Sequence, residues 1–296
     1  MISRRKFIIG SALTFAAPSI FIKRGLNAYN DFTRLTLLHT NDMHSHIEPI
    51  KGGKYDGLGG CARRMTLIKR LRNNNTLLLD AGDVIQGTPY FNFYKGEIEF
   101  KSMTAMGYDV MTIGNHEFDA DIEGMRRNFK KFAKFEIVNS NYKIEDEYLR
   151  NRVKDYVVRN FGNVRVGIFG LGIKLQGLVS DNICEGFEYT SPLENVDRVV
   201  KILRKKEKVD FIICISHLGL TGYDKECGDR DIAERVRGID LIIGGHTHTF
   251  MEQPELIKDT YIFQVGFAGI ILGRLDFTFD KNKKLVSLQT KKYTIC

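Results

Sequence analysis

Five short polar clusters in the sequence carry the residue types that hold metal ions and move protons. They are Asp42-Met43-His44, Gly82-Asp83, Gly114-Asn115-His116 with Asp119, His217, and His246-Thr247-His248. The chain has seven histidines, and five of them fall in these clusters. Imidazole nitrogen, carboxylate oxygen and amide oxygen together suit zinc, manganese or iron rather than calcium or a thiolate-seeking metal. An aspartate between two such cations can bridge them and offset their repulsion. Two cations can also activate a water and stabilise the entering and leaving oxygens of phosphoryl transfer. A histidine outside the metal shell can then protonate a leaving group, with a carboxylate fixing its tautomer. One cluster alone reads equally well as a turn or a satisfied buried histidine. Five at corresponding places do not.

Those places are the ends of apolar runs. The runs 35–39, 76–79, 109–113, 211–215 and 240–243 read as short buried strands, and each leads into one cluster. Further strands are expected at 136–138, 164–171, 261–265 and 270–279. Helical spacing covers 62–71, 100–106, 125–135 and 192–203. The third has Asp119 or Asp121 as its cap; the last has Ser191 as cap and Pro192 at its first turn. Strands alternating with helices predict an α/β domain whose sheets are covered by helices. Ligands in such folds gather beyond the carboxyl ends of the strands, so the five clusters are expected on one rim. The Gly-rich piece Gly52 to Gly60 reads as a loop and lacks a dinucleotide fingerprint.

The five blocks in order resemble the calcineurin-like metallophosphoesterase superfamily, over about residues 34 to 280. Leu38-His39-Thr40-Asn41-Asp42 and Gly114-Asn115-His116-Glu117-Phe118-Asp119 are similar to the secreted 5′-nucleotidase branch. The resemblance implies a four-layer sandwich: two β-sheets packed face to face with helices outside. It implies two divalent metal ions, with Asp42, His44 and His248 on the first, Asn115, His217 and His246 on the second, and Asp83 between them. His116 would serve as acid or stabiliser at the phosphate and Asp119 would orient it. Asn115 and His116 would also face the substrate, with His46 as a further candidate contact. Secreted nucleotidases often have Gln where this chain has His248; the wider superfamily has His there. Glu117 and Phe118 are expected to support the turn, and His39 to sit in the strand. Tyr90 to Tyr94 is expected in the core or lining a pocket.

The implied activity is hydrolysis of phosphate esters, nucleotides above all, by metal-activated hydroxide. Alternatives are a cyclic-nucleotide phosphodiesterase, a sugar phosphatase, a thiosulfohydrolase-like enzyme, or a non-catalytic metal-binding subunit of a split nucleotidase. Relatives of the branch usually carry a second, nucleoside-binding C-terminal domain, so a separately encoded one is an expected partner.

The remaining composition narrows the classes. The chain has 296 residues, 43% hydrophobic and 27% charged, which suits a globular domain. Its formal charge is +8, but Arg4, Arg5, Lys6, Lys23 and Arg24 supply five positive charges before the first acid, Asp31. Without them the balance is +3, too little to imply a nucleic-acid polymer as partner. Residues 1–28 read as a targeting segment. Ser3-Arg4-Arg5-Lys6-Phe7-Ile8 resembles a twin-arginine export signal, which places the protein in the periplasm or at the cell surface. The other reading is a plain signal anchor. No further run approaches a membrane span. Residues 31–296 then form one catalytic domain. Five cysteines show no C-x-x-C spacing and are expected as free thiols, with Cys184–Cys227 the one pairing considered.

Overall fold

Leu37 and Leu38 are both fully buried, yet they pack into different cores. Side chains alternate across a strand, so a run that is apolar at every position needs cover on both faces. The same division separates Leu77 and Leu79 from Leu78, Ile213 and Ile215 from Ile212 and Cys214, and Leu241 and Ile243 from Ile242. Three stacked cores, and therefore four layers, follow from this alternation.

The computed structural model describes residues 32–222 and 226–296. The expected targeting segment at 1–28 lies outside them. Residues 32–296 fall into a single unit. Strands run in chain order as β1 (Thr33–Thr40), β2 (Thr76–Asp80), β3 (Val110–Thr112), β4 (Glu136–Val138), β5 (Tyr142–Ile144), β6 (Val153–Lys154), β7 (Tyr156–Phe161), β8 (Val164–Leu171), β9 (Phe187–Tyr189), β10 (Phe211–Ser216), β11 (Leu241–Gly244), β12 (Glu255–Ile257), β13 (Thr260–Phe263), β14 (Ile271–Phe279) and β15 (Leu285–Thr294). Helices are α1 (Cys61–Leu71), α2 (Pro89–Tyr94), α3 (Glu97–Met106), α4 (Asp121–Lys131), α5 (Glu147–Arg152), α6 (Pro192–Lys205) and α7 (Asp229–Arg235).

One sheet has the order β15-β14-β1-β2-β3-β4-β6 and the other β12-β13-β11-β10-β8-β7. Their inner faces meet in a core that includes Leu35, Leu79, Val110, Ile168, Ile213, Ile243 and Phe277. Outside the first sheet, Ile68 of α1, Phe100 and Met103 of α3, and Met125 and Phe129 of α4 pack on Leu38, Leu78 and Met111. Outside the second, Val196, Val199 and Leu203 of α6 and Ile232 of α7 pack on Phe169, Ile212 and Ile242. Each fully buried side chain of this kind contributes about 1.5–3 kcal/mol of transfer free energy. The central strands β1, β2, β3 and β4 run parallel, as do β8, β10, β11 and β13. Every cluster named from the sequence follows the carboxyl end of one of these parallel strands.

Several boundaries differ from expectation for local reasons. The helix expected at 125–135 spans Asp121–Lys131 instead. Asp121 sits at φ 56, and its Oδ1 accepts the Gly124 N–H at 2.7 Å, which caps the helix as one of the two proposed residues. At the far end the Ala133 N–H reaches back five residues to Asn128 O, so the last turn loosens. The Ser191 cap and Pro192 start of α6 are as expected. β15 went unread because its burial is broken and the adjacent Lys291 and Lys292 put charge on both faces of this edge strand. Of the aromatic stretch, only Phe91 is buried; Phe93 is 81% exposed. All five cysteines are thiols, so the considered Cys184–Cys227 pairing is absent. Among the described residues no helix is long and apolar enough to cross a membrane.

Candidate dinuclear metal centre

The turns after β1, β2, β3, β10 and β11 bring the predicted donors to one place. Asp42, His44 and His248 form one group, and Asp83, His217 and His246 another; within each, the nearest donor atoms lie within 4.8 Å of one another. His44 Nε2 faces His248 Nε2 at 2.9 Å. Asp42 Oδ1 lies 3.4 Å from His248 Nε2 and 3.9 Å from His44 Nε2. Asp83 Oδ2 is 3.1 Å from His217 Nε2 and 3.9 Å from His44 Nε2, so one carboxylate oxygen stands between the two groups. Asn115 Oδ1 lies 3.0 Å from His246 Nδ1, which adds it to the second group.

The backbone is bent to achieve this. Asp42, His44, Asp83, His246 and His248 all have positive φ, between 45° and 69°. Gly82, at φ 90, precedes Asp83; a Cβ there would lie 2.7 Å from Gly114 N and 2.9 Å from His217 Nδ1. Only glycine lets the three turns approach so closely.

His217 tests whether a cation fits. It is fully buried, and its Nδ1 donates to Ala81 O at 2.6 Å. That bond leaves Nε2 as the nitrogen aimed at the carboxylates, and Nε2 has no well-formed hydrogen bond of its own. Burial alone would lower this imidazole; Asp83 and Asp42 outweigh it and push it up to about 10. The field that favours a proton at Nε2 favours a divalent cation more, and the two compete. Burial holds His44 and His246 down to about 4, the neutral form that ligates metal. Asp83 stays ionised: burial opposes the charge, but His217 and the neighbouring histidines prevail.

Beside the donors, His116 Nδ1 donates to Asp119 Oδ2 at 2.7 Å, and the His116 backbone N–H donates to Asp83 Oδ1 at 2.8 Å. Burial works against the His116 charge, but the Asp119 bond and the Asp83 carboxylate raise it above the ordinary value. Glu117 is scaffold, as expected. Its carboxylate accepts the Asp83 and Val84 N–H groups at 3.0 and 2.8 Å, and the Gly114 N–H at 2.6 Å. It thus ties the second turn to the third.

His46 is the site prediction the structure does not bring in. Its Nδ1 lies 3.2 Å from Met43 O, it lines a small cavity with Arg64, Glu99 and Cys61, and it belongs to none of the donor groups. The reason is the period of the turn: His44 faces inward, and the Ser45 bend sends His46 to the other side. His39 sits in β1, fully buried against Phe263 at 5.2 Å between ring centres. Two supporting residues went unassigned from sequence. Asn41 donates to Asp42 Oδ2 at 2.6 Å and to Gly266 O, and accepts from Val265 N at 3.1 Å. Gln264 donates to Gly245 O and accepts from Thr247 Oγ1 at 3.1 Å. Asn41 stood beside a predicted ligand, whereas nothing in the sequence marked Gln264.

A four-layer α/β sandwich with such a donor set beyond its parallel strands defines a class, the dinuclear metallophosphoesterases. The chain belongs to the calcineurin-like phosphoesterases: that family's model matches residues 35–250. It is 36% identical over 285 residues to the 5′-nucleotidase of Homo sapiens, covering 86% of this chain and 48% of the relative. It is 32% identical over 283 residues to the trifunctional nucleotide phosphoesterase of Bacillus subtilis, covering 83% of this chain and 18% of that one. Among solved structures, the 5′-nucleotidase precursor of Thermus thermophilus superposes with a TM-score of 0.79 at 32% identity, covering 88% of this chain and 54% of that one. The chain thus spans about half the length of the 5′-nucleotidases it matches, and less of the Bacillus relative. Metallophosphoesterases of this family use a dinuclear metal centre, and the donor groups here fit one.

Proposed function

We propose that the protein hydrolyses phosphate monoesters of nucleotides at this centre. The observation that carries the reading is Asp83 Oδ2 standing between two histidine-rich donor groups, with the His116–Asp119 pair alongside. Two divalent cations, of zinc, manganese or iron type, would supply Lewis acidity toward phosphate oxygens and acidify water. Asp42, His44 and His248 would hold one, Asn115, His217 and His246 the other, and Asp83 both.

The chain's own groups set the geometry of the reaction. Glu117 and Asn41 fix the bridging and terminal carboxylates through backbone and side-chain bonds. His116 spends Nδ1 on Asp119, which leaves Nε2 for the substrate. Protonated there, it binds a phosphate oxygen and gives its proton to the departing alkoxide. This pair favours turnover over a binding-only subunit, which has no use for an oriented acid.

Nucleotides are the substrate class supported by the relatives, which include 5′-nucleotidases and a nucleotide phosphoesterase. Phosphate chemistry is local to this domain. Nucleoside selectivity is where the part of those relatives not matched by this chain matters. The twin-arginine-like start supports export, and Arg4→Lys with Arg5→Lys should retain the protein inside the cell. Metal analysis with a panel of nucleotides and simple phosphate esters tests the activity. Two equivalents of cation and chelator-sensitive release of phosphate are expected. Undiminished hydrolysis after complete metal removal would sink the proposal.

A further inference from the structure

His44 is a donor, yet it sits in a backbone shape that the chain has no local reason to keep. His44 and Ser45 are consecutive left-handed residues, at φ 45 and 57. Side chains with a Cβ disfavour that region, and two in succession need support from outside the turn. The backbone supplies part of it: His44 N–H donates to Asp83 O at 3.0 Å and Ser45 N–H to Val84 O at 2.9 Å. The rest comes from side chains of two helices.

The Ser45 hydroxyl donates to Glu99 Oε1 on α3, and both residues are almost fully buried. Thr88, the cap of α2, places Oγ1 2.8 Å from Ser45 O and 2.9 Å from Ser45 Oγ. Glu99 and the buried Arg64 line the same small cavity with Ser45. A buried carboxyl group is costly unless it is hydrogen-bonded, and the Ser45 hydroxyl supplies that bond to Glu99. None of the three residues belongs to a donor group, and the phosphate chemistry proposed above uses none of them.

We propose that Ser45, Glu99 and Thr88 are positioning residues for the first donor group. They clamp the left-handed His44–Ser45 turn from the α2 and α3 side, so that His44 Nε2 stays facing His248 Nε2 and the Asp42 and Asp83 carboxylates. The inference rests on the two-cation reading and adds a selectivity to it. Loosening the clamp weakens the first group and spares the second, which hangs on the turns after β2, β3, β10 and β11.

The test is Zn²⁺ titration of the metal-free full chain against a competing chelator, with thermal melting of the metal-free forms alongside. Wild type should take up two cations. Ser45→Ala should bind one of them about tenfold more weakly, the expected weight of one lost hydrogen bond, and leave the other unchanged. The unchanged cation should be the one lost in His217→Ala. Glu99→Ala should act like Ser45→Ala, while Glu99→Gln, which keeps an acceptor for the hydroxyl, should restore near-normal binding. Ser45→Gly, which loses the hydroxyl but relieves the left-handed residue, should fall between wild type and alanine. Should Glu99→Ala fail to fold, the two Ser45 variants and Glu99→Gln decide alone. Two wild-type affinities in Ser45→Ala, or equal weakening of both, would overturn the clamp. A wild type that takes up fewer than two cations would overturn the two-cation reading and the clamp with it, and is distinguished by occurring before any substitution.

Discussion

Replacing Asp119 with Ala removes the carboxylate 2.7 Å from His116 Nδ1 and nothing else from the site. A hydrogen bond to a charged group contributes about 1.5–3 kcal/mol, and about 1.4 kcal/mol is tenfold in rate. The ceiling is therefore roughly 10- to 150-fold in kcat. Both side chains are about a quarter exposed, at 27% and 24%, so the lower half of that range is expected. His116→Ala loses the acid itself and should fall further, about 10²–10⁴-fold. Since Asp119 acts only through His116, the double variant should be no slower than His116→Ala. The assay is steady-state hydrolysis of aryl and alkyl phosphates with leaving groups of graded basicity, with metal content measured on each protein. Losses should be largest for alkyl leaving groups, which need the proton, and small for nitrophenolate, which does not. Metal content should stay near that of wild type. Additive losses in the double variant, or equal losses across the leaving-group series, would refute the role assigned to the pair.

Three other outcomes follow from the same geometry. Asp83→Ala should lose both cations on dialysis against a weak chelator, because Oδ2 is the atom placed between the groups; retention of one tight cation would count against bridging. His46→Ala should leave kcat and KM within about threefold of wild type, a near-neutral surface-like effect, since His46 lies apart from the donors; a large loss in kcat/KM would restore it as a substrate contact. His39→Leu should flatten the acid limb of stability. Burial holds the His39 imidazole down to about 3, and neither ring nitrogen has a hydrogen-bond partner. Between the ordinary 6.5 and that value the unfolded chain takes up a proton that the folded one refuses. Stability is therefore intact above about pH 6.5 and drains as pH falls, by on the order of 5 kcal/mol at the foot of the window. Denaturant melts from pH 7 to 4 should show a shallower slope in the variant; identical slopes would mean that His39 does not carry the effect.

What could be read from the sequence was what local chemistry repeats. The apolar runs ending at Thr40, Asp80, Thr112, Ser216 and Gly244 declared themselves because strands buried on both faces are apolar at most positions, Thr36 and His39 of β1 being exceptions. Their clusters followed, since metal ligands come in few residue types. Elements whose stability comes from elsewhere were invisible. β5 and β9 pair only with each other, through Tyr142 and Tyr189 at opposite ends of the sequence segment they close. Gln264 acts across the turn from Gly245 to Thr249, and its type carries no positional signal. His46 falls outside the donor groups for a related reason. Two residues from a ligand, it shares the ligand's chemistry, and only the left-handed Ser45 between them tells that the chain has turned away.

The left-handed residues explain why the donors are the types they are. Aspartate and histidine are among the few residues with a Cβ that enter this region with any frequency. Five of the seven predicted donors do so, and even at about 1 kcal/mol each the sum approaches the lower end of a domain's net stability. That cost is offset by bonds made within the same turns. Asp42 O accepts from Ala268 N at 2.7 Å, the Asp42 carboxylate accepts from His246 N at 3.0 Å, and Glu117 holds three amides at once. None of these bonds uses a cation as partner, so the chain's own groups suffice to meet the strain. A metal-free protein should therefore keep its donors in place, and uptake should be fast and accompanied by little change in backbone amide exchange away from the site. Wholesale protection of the five turns only after metal addition would show instead that the cations, and not Glu117, Asn41 and their partners, hold the site together.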